Sequence, residues 1–146
     1  MTTVAAILKH KGCQVTTVSP TVTIDQVANV LAEQRIGAVL VLDSAGQLLG
    51  IVSERDIVLG LAANGARTLE MTAGQLMTRG PLQVAQPETT VAEAMTRMTI
   101  GRFRHLPVME HGALAGLISI GDVVKARIME QEDEVDSLKA YVAGSA

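Results

Sequence analysis

At 146 residues the chain suits one compact domain or two very small ones. With 48% hydrophobic residues, no Trp and one each of Phe and Tyr, its core must be aliphatic. A net charge of −3 argues against a generic nucleic-acid binder, which needs a basic face; no uncharged apolar run approaches the roughly 20 residues that span a bilayer; and the single cysteine, Cys13, excludes an internal disulfide and reads as a small, partly buried side chain in a reducing compartment. The lysines of the first eleven residues follow the apolar ones, unlike a signal peptide, so a cytoplasmic protein without membrane contact is expected. Charged residues make up only 18% and mean hydropathy is +0.32. Such a surface is best hidden in a second copy, and a homodimer is expected.

Val4 to Leu8 opens a short apolar helix that Lys9, His10, Lys11 and Gly12 end. Val15 to Val18 reads as a short strand, broken by Pro20. Thr23-Ile24-Asp25-Gln26 is a capping box, and Ile24, Val27, Ala28 and Leu31 then recur at helical spacing, which predicts a helix to about Gln34. Ala38 to Leu42 is a continuous apolar run, the pattern of a strand buried on both faces. Asp43-Ser44-Ala45-Gly46 is a turn, Leu48 to Ser53 a strand, and Glu54 to about Ala63 a helix closed by Asn64-Gly65-Ala66.

The second half repeats the first. Thr72 to Met77 is again a lead helix, Leu82 to Ala85 a short strand, and Thr90-Val91-Ala92-Glu93 a capping box. Pro20/Pro87, Thr23/Thr90, Arg35/Arg102 and Val41/Val108 are all 67 apart. One residue is lost at the equivalent of Ala45, and the offset becomes 66 for Gly46/Gly112, Gly50/Gly116, Ser53/Ser119 and Asp56/Asp122. A slip confined to a turn is the mark of a duplication, because turns tolerate length change and cores do not. The expected organisation is a first repeat over 1–66, a second over 67–129 and a C-terminal helical tail over 130–146. The fold class is α/β (α+β), with two β-α-β-β-α repeats packed about a pseudo-twofold axis and clefts between them. In the tail, Val124, Ile128, Gln131, Val135, Leu138 and Val142 alternate spacings of four and three. An amphipathic helix on its own module and a dimer contact both fit, whereas about three heptads are short for a long coiled coil. Gly144-Ser145-Ala146 should fray.

Chemistry concentrates where strand runs into helix, at Gly50-Ile51-Val52-Ser53-Glu54-Arg55-Asp56 and Gly116-Leu117-Ile118-Ser119-Ile120-Gly121-Asp122. Ser-x-x-Asp at a helix start can be a capping device and nothing more. Asp, however, reaches back to the cap less well than Gln26 or Glu93, and the preceding glycine lets backbone approach a ligand. An ionised Asp offers two acceptors to a vicinal diol, and a helix N-terminus suits an anion; a nucleoside phosphate has both features. Arg102-Phe103-Arg104-His105 is the densest basic cluster of the chain, and Arg104 and His105 stand where the first repeat has Gly37 and Ala38. The two repeats are therefore chemically unequal. Lys9 and Lys11 are further cations; Arg102 also fits a plain helix end, like Arg35, and His111 a solvent-exposed turn.

The doubled, in-register motif, with RIGAVLVLD and RFRHLPVME before it, resembles the cystathionine-β-synthase (CBS) domain, here as a tandem pair from about Val4 to Ile128. The resemblance implies binding of an adenosyl ligand: AMP, ADP, ATP or NAD(H), with S-adenosylmethionine ranked behind them. It implies that Asp56 and Asp122 hold ribose hydroxyls and that Ser53 and Ser119 face ribose or phosphate. Thr16-Thr17 and Gln83-Val84 would border adenine, and Gly37-Ala38 and Arg104-His105 would line the clefts. Lys9 and Arg102 complete the candidate set. Leu82-Gln83-Val84-Ala85 departs from the family in lacking a hydroxyl residue there. A stand-alone sensor that signals to an unknown regulated protein is implied, with no catalytic cofactor. No paired catalytic carboxylates, metal-ligand cluster or Cys/His couple points to an enzyme. The alternative is a ligand-independent assembly protein whose Ser-x-x-Asp junctions only cap helices.

Overall fold

A computed structural model describes residues 1–80 and 82–144. It divides into two compact units that do not coincide with the sequence repeats: Gln14–Gln83, and Met1–Cys13 with the chain from Val84 onward.

In the Gln14–Gln83 unit, β1 (Thr17–Val18), β2 (Ala38–Leu42), β3 (Leu48–Ser53) and β4 (Thr78–Arg79) form one sheet in that order. β1 runs parallel to β2, and the other pairs are antiparallel. β2 is flanked on both sides, so Ala38, Val39, Leu40 and Val41 are all buried. With α2 (Ile24–Gln34), α3 (Glu54–Asn64) and α4 (Ala73–Leu76) these strands enclose a core of Ile24, Val27, Val39, Val41, Val52 and Ala73. A 3-10 helix over Gly65–Glu70, unmarked in the sequence, joins α3 to α4. The Thr23 capping box forms in full, with Gln26 N–H donating to Thr23 Oγ1 at 3.3 Å and Thr23 N–H to Gln26 Oε1 at 3.1 Å.

The other unit pairs β5 (His105–Glu110) with β6 (Ala113–Ser119) and packs on them α1 (Val4–Lys11), α5 (Val91–Gly101) and α6 (Ile120–Gly144). Val4, Val91, Met98, Leu106, Val108 and Ile118 fill its core. α1 opens the first repeat yet belongs to the unit of the second, and Cys13 just after it is exposed rather than partly buried; α4 and β4 open the second repeat yet belong to the unit of the first, where β4 completes the sheet. At Thr90 only half of the expected box is present: the hydroxyl accepts from Glu93 N–H at 3.1 Å, with no return bond from Glu93. α6 is one continuous helix that runs from the end of the second repeat through the C-terminal tail. The expected fraying at Ser145 and Ala146 lies outside the described residues.

Two differences between the repeats have local causes. The first hairpin closes through Asp43, whose Oδ1 accepts from Ala45 and Gln47 N–H, both at 2.9 Å. The second closes through His111 and Gly112, at φ 51° and 77°, a tight two-residue turn that needs one residue fewer. The strand expected over Leu82–Ala85 does not form; Ala85 alone bridges Val108. In the first repeat Leu40 N–H donates to Thr16 C=O at 3.2 Å. The residue that matches Leu40 is Pro107, which has no N–H to give Gln83, so the ladder stops there.

Candidate functional site

Both Ser-x-x-Asp junctions lie where the last residue of one hairpin strand faces the first residue of the other: Ser53 opposite Ala38, and Ser119 opposite His105. Each is pinned by a backbone bond just inside the helix, Glu54 N–H to Gly37 C=O at 3.0 Å and Ile120 N–H to Arg104 C=O at 2.7 Å. The structure therefore gathers Gly37, Ala38, Ser53 and Asp56 in one unit and Arg104, His105, Ser119 and Asp122 in the other. Thr16 and Thr17 lie across β2 from β3. The Thr16 hydroxyl is engaged by Gln34 Oε1, and Thr17 is exposed at the level of Leu40.

The Asp side chains reach the caps after all. Ser53 N–H donates to Asp56 Oδ2 at 2.8 Å, and Asp56 N–H to Ser53 Oγ at 3.3 Å. Ser119 N–H donates to Asp122 Oδ2 at 2.8 Å, and Asp122 N–H to Ser119 Oγ at 3.2 Å. Capping fixes each carboxylate at the helix mouth, and what holds its remaining valence differs between the units. Thr78, on β4, donates its hydroxyl to Asp56 Oδ1 at 3.0 Å. Lys11, at the end of α1, places Nζ 2.7 Å from Asp122 Oδ2 and 3.1 Å from Leu117 C=O. The sequence singled out neither as a main site residue. Thr78 had no signal of its own, and of the two lysines considered it is Lys11, not Lys9, that meets the aspartate. Lys9 is exposed on α1.

The glycines ahead of these junctions admit chain rather than ligand. A Cβ on Gly50 would stand 2.6 Å from Thr78 C=O and 2.7 Å from Met77 Sδ; one on Gly116 would stand 2.7 Å from a Leu8 methyl. They let the lead segments lie against the strands and so deliver Thr78 and Lys11 to the carboxylates. Arg102 is the C-cap of α5 at φ 55°, and Arg35 caps α2 at the same φ, so its position is set by the helix end. The guanidinium groups of Arg102 and Arg104 are exposed and make no hydrogen bond or ion pair among the described residues.

Burial of the Asp122 carboxyl opposes its ionisation, but the hydrogen bonds from Lys11 and Ser119 and the charge of Lys11 outweigh burial and hold its pKa below the ordinary aspartate value. Because the folded-state pKa is depressed, the stabilisation is complete above the unfolded-state value and is lost as pH falls through the folded-state one. Lys11→Met should therefore lower thermal stability at neutral pH by about 1 kcal/mol or less, as for a partly exposed pair. The gap between variant and parent should close as pH drops below about 4. Melting curves from pH 7 to pH 2 check this; a gap that stays constant to pH 2 assigns the loss to the lysine stem instead.

Among the described residues no group of three or more His, Cys, Asp or Glu could hold a metal ion, and no helix is long and apolar enough to cross a membrane. A family model for the CBS domain matches twice, over residues 4–63 and 73–129. The CBS domain-containing protein CBSX3, mitochondrial, of Arabidopsis thaliana is 36% identical over 117 residues, 78% of this chain and 57% of that protein. The chain thus spans little more than half the length of that relative. The crystal structure of the CBS-domain containing protein ATU1752 from Agrobacterium tumefaciens superposes with a TM-score of 0.84 at 48% identity, covering 86% of this chain and 93% of that one. The CBS domain protein PAE2072 from Pyrobaculum aerophilum, complexed with AMP, superposes with a TM-score of 0.72 at 25% identity over 82% and 88% of the two chains.

Proposed function

The chain belongs to the CBS-domain family, as a tandem pair, and from that premise we propose that it is a regulatory module that binds an adenine nucleotide and relays its level to a regulated protein. The observation that carries the proposal is the junction at Ser119. There an ionised carboxylate is held at a helix N-terminus by Ser119 N–H and Lys11, where the backbone of Arg104 and His105 meets the junction. An ionised carboxylate accepts hydrogen bonds from a vicinal diol and repels a bare phosphate; the positive charges of Lys11 and Arg104 in the same unit attract what it repels. A ribose 5′-phosphate supplies both groups in one ligand. The AMP held by the Pyrobaculum relative supports AMP first, with ADP, ATP and NAD(H) sharing the same chemistry and S-adenosylmethionine behind them.

The junction at Ser53 has Thr78 where the other has Lys11. It fits a ligand with less negative charge, with Thr16, Thr17, Gly37 and Ala38 as its further candidate residues. The proposed setting is the cytoplasm, as a homodimer, with no membrane or nucleic-acid partner and with binding rather than catalysis as the activity. Exposed Val58 and Leu59 on α3, 62% and 56% accessible, suit self-association.

One observation favours a second reading: both Ser-x-x-Asp junctions are complete capping boxes, so an assembly module without a ligand uses the same residues. Calorimetry with AMP, ADP, ATP, NAD, NADH and S-adenosylmethionine separates the two. A saturable heat with at least one of the first five is expected, and ligand at about 100 times Kd should add about 2.7 kcal/mol of stability. No heat and no thermal shift with any of the six leaves the assembly reading standing alone.

A further inference from the structure

Every residue of α6 from Gln131 to Gly144 is exposed, so this half of the helix does not lie on its own module. Its apolar residues nevertheless form a seam. Ile128, Val135 and Val142 take the a positions of a heptad and Val124, Gln131 and Leu138 the d positions. Ile128, Val135 and Leu138 are 50%, 51% and 63% accessible. The same apolar face continues toward the start of the helix through Val124 and Met129, which are 40% and 48% accessible. The seam runs along a single helix, and a seam of this period is buried by another helix.

The charges beside the seam decide which helix and in which direction. The g positions are Arg127, Glu134 and Tyr141, and the e positions Lys125, Glu132 and Lys139. In a parallel, in-register pair each g residue faces the e residue five places on in the other copy. That sets Glu134 against Lys139 and Arg127 against Glu132, opposite signs in both cases and doubled by the twofold axis. Arg127 also holds Glu130 of its own helix, which leaves Glu134/Lys139 as the pair that reads direction. In an antiparallel pair centred on the same seam, Glu132 faces Glu132, Glu134 faces Glu134 and Lys125 faces Lys139, like signs in all three, and Arg127 faces Tyr141, which offers it no opposite charge. All three a residues, Ile128, Val135 and Val142, are β-branched and Leu138 is at d, the combination that favours the parallel two-stranded form, while Gln131 is a polar d position.

We propose that the C-terminal half of α6 pairs with α6 of a second copy of this chain as a parallel, in-register coiled coil. The inference rests on the proposed self-association and goes beyond it by naming the surface and its direction; it is independent of nucleotide.

The test uses the full chain with Cys13→Ser. Adding Val142→Cys should give a covalent dimer on mild oxidation, because a residues of a parallel pair adjoin. In the antiparallel pair Val142 lies opposite Val124, and the two cysteines stand roughly 27 Å apart at 1.5 Å per residue. Lys139→Glu should raise the dimer dissociation constant about three- to tenfold, and adding Glu134→Lys should restore it. A chain that sediments as a dimer yet does not cross-link at position 142, or whose association tightens with Lys139→Glu, overturns the parallel pairing. Association unchanged by Leu138→Asp overturns the α6 surface while leaving the proposed dimer intact. A parent chain that sediments as a monomer at every concentration overturns both.

Discussion

Replacing Gly50 by alanine should destabilise the protein by about 1–3 kcal/mol, the cost of overpacking a filled site, and lower Tm by several degrees. Gly116→Ala, its repeat partner, should cost clearly less. The difference lies in what the new methyl meets. At Gly50 it meets a backbone oxygen, Thr78 C=O at 2.6 Å, which can move only if β4 leaves β3 at the Gly50–Arg79 and Ile51–Thr78 pairs. At Gly116 it meets the methyls of Leu8 at 2.7 and 3.2 Å, and a leucine end can rotate away. Gly50→Ala should also release the Thr78 hydroxyl from Asp56, because β4 carries it. Thermal melts of the two variants decide the matter. Equal losses contradict the backbone argument, and a Gly50→Ala protein of parental stability that binds nucleotide poorly returns the glycine to a ligand-facing role.

The glycine motif shows where sequence reading stops. Gly50 and Gly116 are legible as places of close approach, but what approaches is not. Met77 and Thr78 come from the opening of the other repeat, and Leu8 lies more than a hundred residues from Gly116. The β2–β3 and β5–β6 hairpins were legible because unbroken apolar runs and turn residues are local signals, and the boundaries of β2 and β3 fall where those runs end. The repeat was legible for the same reason. The exchange of lead helices between units was not, because a helix of four to eight residues carries no mark of which sheet it will join. Thr78 and Lys11 were obscure on the same grounds: their bonds to Asp56 and Asp122 span 22 and 111 residues. The missing strand before Ala85 was legible in principle. Pro107 removes the one donor that strand required, but the consequence appears only once Gln83 and Pro107 are known to face each other across the ladder.

Asp122→Glu should separate the capping role that the structure shows for this carboxylate from the ribose role proposed for it. As a cap, Glu can take the place of Asp at the third helical position, because its longer side chain reaches back to the N-cap N–H, although Glu93 does not close on Thr90 in this way. The chain itself uses Gln26 and Gln75 there, closing on Thr23 and Thr72 at 3.1 and 3.0 Å. The extra methylene therefore preserves the Ser119 cap and leaves an acceptor within reach of Lys11, so stability should change by no more than about 0.5 kcal/mol. As a ligand for a ribose diol, the same carboxylate must present both oxygens at a fixed depth, and the methylene displaces them by more than a hydrogen bond tolerates. Loss of charge-assisted bonds worth about 1.5–3 kcal/mol lowers affinity roughly 10- to 150-fold. Asp122→Ala confounds the two roles, because it removes cap, ion pair and acceptor together; Asp122→Glu removes only the geometry. The same change at Asp56 should spare stability too, and whether it alters nucleotide affinity reports whether that junction takes ligand. If Asp122→Glu and Asp56→Glu both bind AMP as the parent does while Asp122→Ala melts early, the carboxylates are caps alone. An Asp122→Glu protein that melts with the parent and binds AMP at least tenfold more weakly makes Asp122 a ribose ligand whose position the cap maintains.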